Sequence, residues 1–242
     1  MLIICGLSLA TIGNALPDTT KKSGYITEKE GRYTHKGFYV DGQKTGAWEK
    51  HHPNGLVIEI INYMEGEKNG LYIENNYRGF VIRQGSYLND MKDGTFYEYD
   101  FGRKVRSKID YKAGEIDGMK RLYYDNGNIQ EESEYNNGEK HGSAKWYNMQ
   151  GNLIAEYHYE NGKLQGEQKT YHNSGELLSI ETYVDNKREG TYKEFYKNGE
   201  LKKEGFFKND MKHGKWVVYN EDGVAVKELK YRKDDLKNEK DL

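Results

Sequence analysis

Apolar and polar positions recur along this chain with a fixed period of 24 residues. A glycine marks the period, and with that glycine as position 0, position 17 is aromatic and position 11 is apolar in all eight units. The anchor glycines are Gly46, Gly70, Gly94, Gly118, Gly142, Gly166, Gly190 and Gly214. The aromatic residues at position 17 are Tyr63, Tyr87, Tyr111, Tyr135, Tyr159, Tyr183, Phe207 and Tyr231. An even step of six residues along an extended chain predicts that positions 11 and 17 point to one face of a strand.

Two further positions carry turn residues. Position 9 is glycine in every unit except the third, where Arg103 stands there after Gly102, which predicts a turn shifted by one residue. Position 20 is glycine, asparagine or aspartate throughout, and these residues best tolerate the positive φ of tight hairpin turns. Each unit is therefore predicted to form two antiparallel strands and two turns.

The predicted fold class is all-β, a repetitive antiparallel β-hairpin meander in the form of an elongated twisted ribbon. A fixed period without insertions is typical of one small unit that packs on copies of itself. The array is predicted over residues 31–231, since a partial first copy begins at Gly31. Residues 16–30 are predicted to be a linker. Residues 232–242 are predicted to be a charged tail or a polar cap that blocks edge-to-edge stacking.

Composition agrees with a thin sheet. The mean hydropathy of −1.03 is low, but 22 tyrosines and a net charge of only −2 argue against disorder. Tyrosine covers backbone with a large ring and keeps its hydroxyl in water. Lys and Arg number 37 against 39 Asp and Glu, so no basic field favours nucleic acid, and nucleic-acid binding is not expected.

The N-terminal segment predicts export. Leu2 to Ile12 are apolar or small, and Gly13 to Ala15 supply small residues for a cleavage site, so residues 1–15 are predicted to be a signal peptide. No Lys or Arg occurs before Lys21, however, and a basic start is usual for such signals. The expected location is the periplasm, the cell surface or the medium, with the cytoplasm as the alternative if residues 1–15 are not a signal.

The segment Tyr135-Asn-Asn-Gly138-Glu-Lys-His-Gly142, followed by Trp146-Tyr147 and Gly151, resembles the MORN repeat, and most closely its 24-residue bacterial variant. The segments Tyr159 to Gly166 and Phe207 to Gly214 are similar to it in the same way. The resemblance implies a repeat scaffold for protein assembly or a membrane-associated module. Bacterial members of the variant group are often labelled antitoxin components.

Catalytic and metal chemistry find no support in the sequence. No serine stands in a Gly-x-Ser-x-Gly elbow, and the glycine-rich phosphate-binding patterns are absent. His141 and His213 share one repeat position but lie three units apart, too far for one ion. We expect no enzyme activity, no catalytic residues, no cofactor and no metal.

Aromatic and basic side chains are the candidate binding residues. Position 5 carries an aromatic ladder, three tryptophans interrupt the tyrosine pattern, and the third unit holds a dense basic run. The candidates are Trp48, Tyr99, Tyr123, Trp146, Tyr147, Tyr171, Phe195, Trp216, Tyr219, Arg103, Lys104, Arg106 and Lys108. The ladder is predicted to cover the sheet or to form a groove for a partner strand, peptide or glycan, and the basic run suits an anionic lipid.

Three functions remain open from the sequence. The first is an exported, non-enzymatic scaffold that binds an unidentified protein partner. The second is a lipid- or glycan-binding module of the cell envelope, and the third is an antitoxin- or immunity-like binding protein in the cytoplasm. Self-association through the edge strands is a further possibility.

Overall fold

The computed structural model describes residues 21–242 as one open antiparallel sheet of 21 strands, with no helix among these residues. The predicted signal peptide lies outside the described residues. The strands are β1 (Gly24–Glu30), β2 (Tyr33–Val40), β3 (Gln43–His51), β4 (Val57–Met64), β5 (Glu67–Asn75), β6 (Val81–Leu88), β7 (Met91–Lys92), β8 (Gly94–Tyr99), β9 (Val105–Lys112), β10 (Glu115–Tyr123), β11 (Ile129–Asn136), β12 (Glu139–Tyr147), β13 (Leu153–Glu160), β14 (Lys163–Leu164), β15 (Gly166–Tyr171), β16 (Leu177–Val184), β17 (Lys187–Phe195), β18 (Leu201–Lys208), β19 (Met211–Tyr219), β20 (Ala225–Arg232) and β21 (Asp235–Asp241).

Strand order follows chain order, so the predicted all-β meander is confirmed. Each full-length strand pairs with the full-length strands before and after it along the chain, and β1 and β21 pair on one side only. The short strands β7 and β14 are the first parts of strands that an anchor glycine interrupts, since β6 pairs with both β7 and β8, and β13 pairs with both β14 and β15.

The turn at position 20 is a two-residue hairpin with positive φ at both residues. Asn137 and Gly138 have φ of 46° and 83°, and they join Asn136 to its cross-strand partner Glu139. Mirror-image turns of this kind match the right-handed twist of the flanking strands. The same geometry in the other units explains why glycine, asparagine and aspartate stand at position 20.

The turn at position 9 closes a three-residue loop that ends in a left-handed residue. In the second unit Asn76 N donates to Phe80 O at 2.8 Å, Gly79 N donates to Asn76 O at 2.9 Å, and Gly79 has φ of 82°. The third unit keeps this geometry without the predicted shift. Arg103 itself takes φ of 65° while Gly102 does not have positive φ, so the prediction of a shifted turn is wrong.

Each anchor glycine lies inside a strand, at a bulge, and not in a turn. In β12, three residues around Gly142 lie opposite the single residue Glu134, because Ser133 pairs with Ala144 while Tyr135 pairs with Lys140. The anchor glycines have φ between 65° (Gly46) and 128° (Gly190), a range that residues with a side chain rarely adopt. The bulge therefore requires glycine at position 0.

A second bulge reverses the alternation of side chains, and it makes one prediction wrong. Leu153 pairs with Tyr147 and Ala155 pairs with Trp146, so Ile154 is an extra residue in β13. Directly paired residues share a face of the sheet, and an extra residue moves all that follow to the other face. Positions 11 and 17 therefore point to opposite faces.

Two faces follow from this pairing. Positions 2, 4, 13, 15, 17 and 22 form what we call the tyrosine face, which carries the aromatic residue of position 17. Positions 3, 5, 11, 14 and 16 form the opposite face. The largest buried side chains, such as Trp48, Phe96 and Trp216, lie on the tyrosine face, which is therefore the core of the sheet.

The sheet extends beyond the predicted array at both ends. β1 occupies residues 24–30, within the predicted linker, and pairs with β2 through a two-residue turn, unlike the three-residue turn of the other units. β21 occupies residues 235–241, within the predicted tail, and all of its residues are exposed. Charged side chains on these terminal strands protect the two edges against further pairing.

Candidate interaction surface

Aromatic rings and cations alternate along the tyrosine face. Position 22 pairs directly with position 17 across the strand, as in Tyr63 with Lys68. A lysine or arginine at position 22 lies over an aromatic ring of the following unit at 4.1–5.3 Å from the ring centre. These cations are Lys44, Lys68, Lys92, Lys140, Arg188 and Lys212. Desolvated pairs of this kind contribute about 2 kcal/mol, and exposed ones less.

A single row of side chains crosses the sheet along the middle of the tyrosine face. Position 15 of one unit pairs with position 2 of the next, and position 2 pairs in turn with position 15 of its own unit. We call this line the central row. It consists of Gly37, Trp48, Ile61, Tyr72, Gly85, Phe96, Ile109, Lys120, Ser133, Ala144, Tyr157, Gln168, Glu181, Tyr192, Gly205, Trp216 and Leu229.

Sizes along the central row are complementary. Wherever position 15 is glycine, the next residue of the row is a large aromatic whose ring occupies the space of a β-carbon: Trp48 at Gly37, Phe96 at Gly85 and Trp216 at Gly205. In the middle of the sheet the row is small, since Ser133 faces Ala144. Neighbouring strands thus keep a constant spacing although the side chains between them change.

The middle of the tyrosine face holds a charged cluster instead of rings. Glu131 is 9% exposed, and its carboxylate lies 3.5 Å from Lys120 Nζ and 3.3 Å from Lys140 Nζ. Ser133 Oγ donates to Glu131 Oε1 at 2.9 Å. Burial alone would raise the pKa of Glu131, but the Ser133 hydroxyl and the two ammonium groups outweigh it and hold the pKa below its ordinary value.

Two cavities open on the tyrosine face. The larger, about 410 Å³, lies among Tyr72, Arg83, Phe96 and Glu98. Arg83 fills its polar side, with Nη1 at 3.0 Å from Glu74 and Nε at 3.1 Å from Glu98. The smaller, about 210 Å³, lies among Tyr157, Leu164, Glu181 and Tyr183.

The predicted aromatic ladder lies on the opposite face. Tyr99, Tyr123, Tyr147, Tyr171, Phe195 and Tyr219 are all half-buried. Burial is the main reason that the pKa of Tyr99 and that of Tyr171 are raised. Tyr219 Oη donates to Glu204 Oε1 at 2.7 Å, a bond that raises the pKa of this phenol. Each ladder residue pairs with the apolar residue at position 11, so the ladder covers the second bulge.

The three tryptophans lie on the tyrosine face, apart from the ladder. Trp48 is 4% exposed and Trp216 is 1% exposed, so their rings are packing groups and not contact surfaces for a partner. Trp146 is half-buried at position 4, with its ring centre 5.2 Å from that of Tyr157. Among the tryptophans, Trp146 therefore keeps the largest surface for a contact.

The basic run is largely engaged within the protein. Arg106 forms an ion pair with Asp125, and Lys104 Nζ donates to Asp125 O at 2.7 Å. Arg103 lies 4.4 Å from the centre of the Phe80 ring, and Lys108 lies 5.8 Å from that of Tyr97.

Sequence reasoning missed the central row and its glycines. Gly37, Gly85 and Gly205 fall at none of the turn positions, and each precedes a large aromatic residue by eleven positions. That coincidence is visible in the sequence, but its meaning depends on the bulge at the anchor glycine. The bulge brings residues eleven apart to directly facing places on adjacent strands.

No group of three or more His, Cys, Asp or Glu side chains in residues 21–242 is placed to hold a metal ion. The same residues form no helix of the length and apolarity that crossing a bilayer requires.

Comparison with protein families gives one match. The model described as "MORN repeat variant" matches four consecutive segments, residues 116–137, 140–161, 164–185 and 188–209. Each matched segment runs from position 22 of one unit to position 19 of the next. It therefore contains one anchor glycine and most of the two strands that the turn at position 9 joins. No curated protein matches the chain.

Among solved structures, the chain is similar to part of the Photorhabdus luminescens Tc holotoxin pore, in a mutant form, with 12% identity over 87% of this chain and 16% of that chain and a TM-score of 0.18. A crystal structure titled TcdB2-TccC3-Cdc42 gives 12% identity over 84% of this chain and 14% of that chain, with a TM-score of 0.17. This chain thus spans a small fraction of either structure, and TM-scores this low do not relate the folds.

Proposed function

Because this chain is a MORN-repeat protein of the variant type, we propose that it is a non-enzymatic scaffold that binds a protein partner through its tyrosine face. The MORN repeat is a non-enzymatic module. Repeats of this family commonly serve as protein- or membrane-binding scaffolds.

The observation that carries the proposal is that the backbone features of the units are constant while the side chains of the central row differ from unit to unit. The bulges, the turns and the aromatic residue at position 17 are the same in every unit, so they fix the sheet. The half-buried members of the central row between them change from Tyr72 through Lys120 to Glu181, while its fully buried members, such as Trp216, pack within the sheet. A solenoid that varies side chains on a fixed frame presents an extended, unit-specific surface, which suits recognition of another protein.

The tyrosine face also offers open cavities beside rings and charges. Partner side chains could enter the cavities of about 410 Å³ and about 210 Å³. Aromatic residues and arginine are enriched at protein interfaces, and both line the larger cavity, as Tyr72 and Arg83.

The lipid-binding alternative rests on the basic run, and the contacts of that run favour the scaffold. Arg106 and Lys104 both contact Asp125, which reduces the charge that they offer to an anionic surface. The two functions differ in their response to salt, because headgroup binding by a few exposed cations is screened steeply between low and physiological ionic strength.

The test is an in-cell crosslinking pull-down of the tagged protein, with liposome binding measured in parallel. We expect one dominant protein in stoichiometric amount, and no binding to vesicles that contain anionic lipid. Vesicle binding at low salt without a protein partner would contradict the scaffold. The compartment of the partner then separates an exported scaffold from a cytoplasmic antitoxin- or immunity-like protein.

A further inference from the structure

A lysine or arginine stands at position 22 in most units of the tyrosine face, and two interior units and the terminal one lack it. Ile116, Leu164 and the terminal Leu236 replace the usual lysine or arginine. Near Ile116 the role passes to Lys120, which lies 6.0 Å from the centre of the Tyr135 ring and pairs with Glu131. Near Leu164 the residue at position 2 is Gln168, so the lining of the cavity there includes rings but no lysine or arginine.

The cavity beside Leu164 is walled by an acid and two phenols. Its volume is about 210 Å³, and Tyr157, Glu181 and Tyr183 line it together with Leu164. Tyr183 Oη donates to Glu181 Oε2 at 3.2 Å. Burial, and after it the charge of Glu181, raises the pKa of Tyr183 to about 12 and raises that of Tyr157 as well, so the field of this carboxylate reaches both rings.

Glu181 has no ion-pair partner among residues 21–242. The nearest cation along the row of positions 22 is Arg188, which pairs with Tyr183 across the strand, but its guanidinium lies 4.1 Å from the centre of the Phe207 ring and 3.7 Å from Asp210. By contrast, Glu131, two strand pairs away on the same face, contacts two lysines. In most other units a lysine or arginine of the chain itself lies over the rings, whereas the half-buried Glu181 carboxylate forms no ion pair within residues 21–242.

Gln168, Thr170 and Ser179, the uncharged polar groups of the lining other than the two phenols, hydrogen-bond within the protein. The Gln168 side-chain amide donates to His158 O, Gln165 O and Gly166 O at 2.9–3.3 Å. Thr170 Oγ1 and Ser179 Oγ bond to each other at 2.6 Å. Glu181 is the charged residue in the lining, and its carboxylate only accepts hydrogen bonds, so the cavity favours a cation that donates them and disfavours an anion.

We propose that the cavity walled by Tyr157, Glu181 and Tyr183 binds an alkylammonium group, presented as a lysine side chain by the protein partner. The ammonium would contact the Glu181 carboxylate and the faces of the two rings, in the place that a lysine at position 22 takes in other units. This assignment rests on the proposed scaffold function, since it names the chemistry by which the partner is recognised.

Comparison between the units suggests the variants for the test. Leu164→Lys restores the cation that Lys140 provides one unit earlier, so the new ammonium should occupy the cavity and exclude a ligand. Glu181→Gln keeps the shape and removes the charge. Thr191→Lys is the matched control, because it adds the same charge at an exposed position that is next to Tyr192 in β17 and points to the opposite face.

The probe is n-butylammonium, titrated against each variant while tyrosine resonances are followed by NMR, with n-butanol as the uncharged analogue. We expect saturable binding to the wild type and to Thr191→Lys, at least about tenfold weaker binding to Glu181→Gln, and none to Leu164→Lys. The melting temperature of Leu164→Lys should equal or exceed that of the wild type. The proposal is overturned if the wild type does not bind the probe in preference to n-butanol, or if Leu164→Lys binds it as well as the wild type does.

Capture of the partner separates this proposal from the scaffold function. If Leu164→Lys loses both n-butylammonium and the protein partner while Thr191→Lys keeps both, the partner's lysine occupies the cavity. If Leu164→Lys loses n-butylammonium but still captures the partner in full amount, the partner binds elsewhere on the scaffold, and the assignment of a partner lysine is overturned while the scaffold function stands.

Discussion

The indole of Trp216 in β19 lies against the backbone of Gly205 in β18, in the space that a β-carbon on Gly205 would occupy. Trp216 is 1% exposed, so its ring is enclosed by its neighbours. The glycine and the indole act as one packing unit of the central row, and the pair Gly85 and Phe96 repeats the arrangement, with the nearest ring atom 2.6 Å from such a β-carbon.

Substitution of Gly205 by serine should therefore destabilise the protein through overpacking. We expect the free energy of unfolding to fall by about 1–3 kcal/mol, because the serine side chain forces the indole or the strand to shift. Urea denaturation followed by tryptophan fluorescence measures the loss.

The control is a double variant that copies the middle of the sheet. Gly205→Ser combined with Trp216→Ala reproduces the facing pair Ser133 and Ala144. Trp216→Ala alone should cost about 3–5 kcal/mol. The double variant should lose at least about 1 kcal/mol less than the sum of the single losses, and strict additivity would contradict the size complementarity of the row.

Replacement of Arg103 by glycine should stabilise the protein. It has φ of 65° in the turn where the other units have glycine, and a left-handed residue with a side chain costs about 1–2 kcal/mol. Arg103→Gly should raise the free energy of unfolding by about 1 kcal/mol once the lost contact with Phe80 is included. Arg103→Ala is the control, since it loses the same contact and keeps the strain, so it should not stabilise the protein. A gain with alanine equal to that with glycine would show that backbone strain is not the cause.

Glu131 should make stability depend on pH. Its pKa in the folded protein lies below the ordinary value of 4.5, because the contacts with Ser133, Lys120 and Lys140 outweigh burial. The stabilisation is therefore complete above about pH 4.5 and is lost as pH falls through the lower folded pKa. Glu131→Gln should lower the free energy of unfolding by about 1–3 kcal/mol at pH 7, with the difference from wild type shrinking below pH 4.5. A difference that stays constant from pH 7 to pH 3 would be inconsistent with this origin.

Export predicts a processed N-terminus. If residues 1–15 are a signal peptide, N-terminal sequencing of the native protein should begin at or near Leu16. The deletion of residues 2–12 should leave the unprocessed protein in the cytoplasm. An unprocessed start in the native protein would favour the cytoplasmic antitoxin- or immunity-like alternative.

The sequence was sufficient for the repeat, the strand content and the turn chemistry. Each of these depends on local rules, such as positive φ at Asn137 and Gly138. Period and composition therefore predicted the all-β meander. The terminal strands β1 and β21 escaped prediction because their pairing depends on a neighbouring strand more than on their own pattern.

The assignment of faces could not be made from periodicity. Alternation holds only while every residue pairs with one partner, and Ile154 has none of its own. This one extra residue moves Tyr159 to the face opposite Leu153, and it separates the position-5 ladder from the tryptophans. Cavities such as the one at Glu181 were out of reach for the same reason, since they form only where three strands bring positions 2, 15 and 17 together.

The central claim is that a partner protein binds the tyrosine face, and a comparison of two charge-swapped baits tests it most directly. The tyrosine-face bait carries Glu98→Lys and Lys203→Glu, at positions 4 and 13. The opposite-face bait carries Glu156→Lys and Lys193→Glu, at positions 14 and 3. The net charge of the protein is unchanged in both. Matching melting curves establish that both baits are folded, and quantitative mass spectrometry measures the partner that each one captures. The account predicts that the tyrosine-face bait loses the stoichiometric partner while the opposite-face bait retains it. Loss of the partner from the opposite-face bait alone would contradict it.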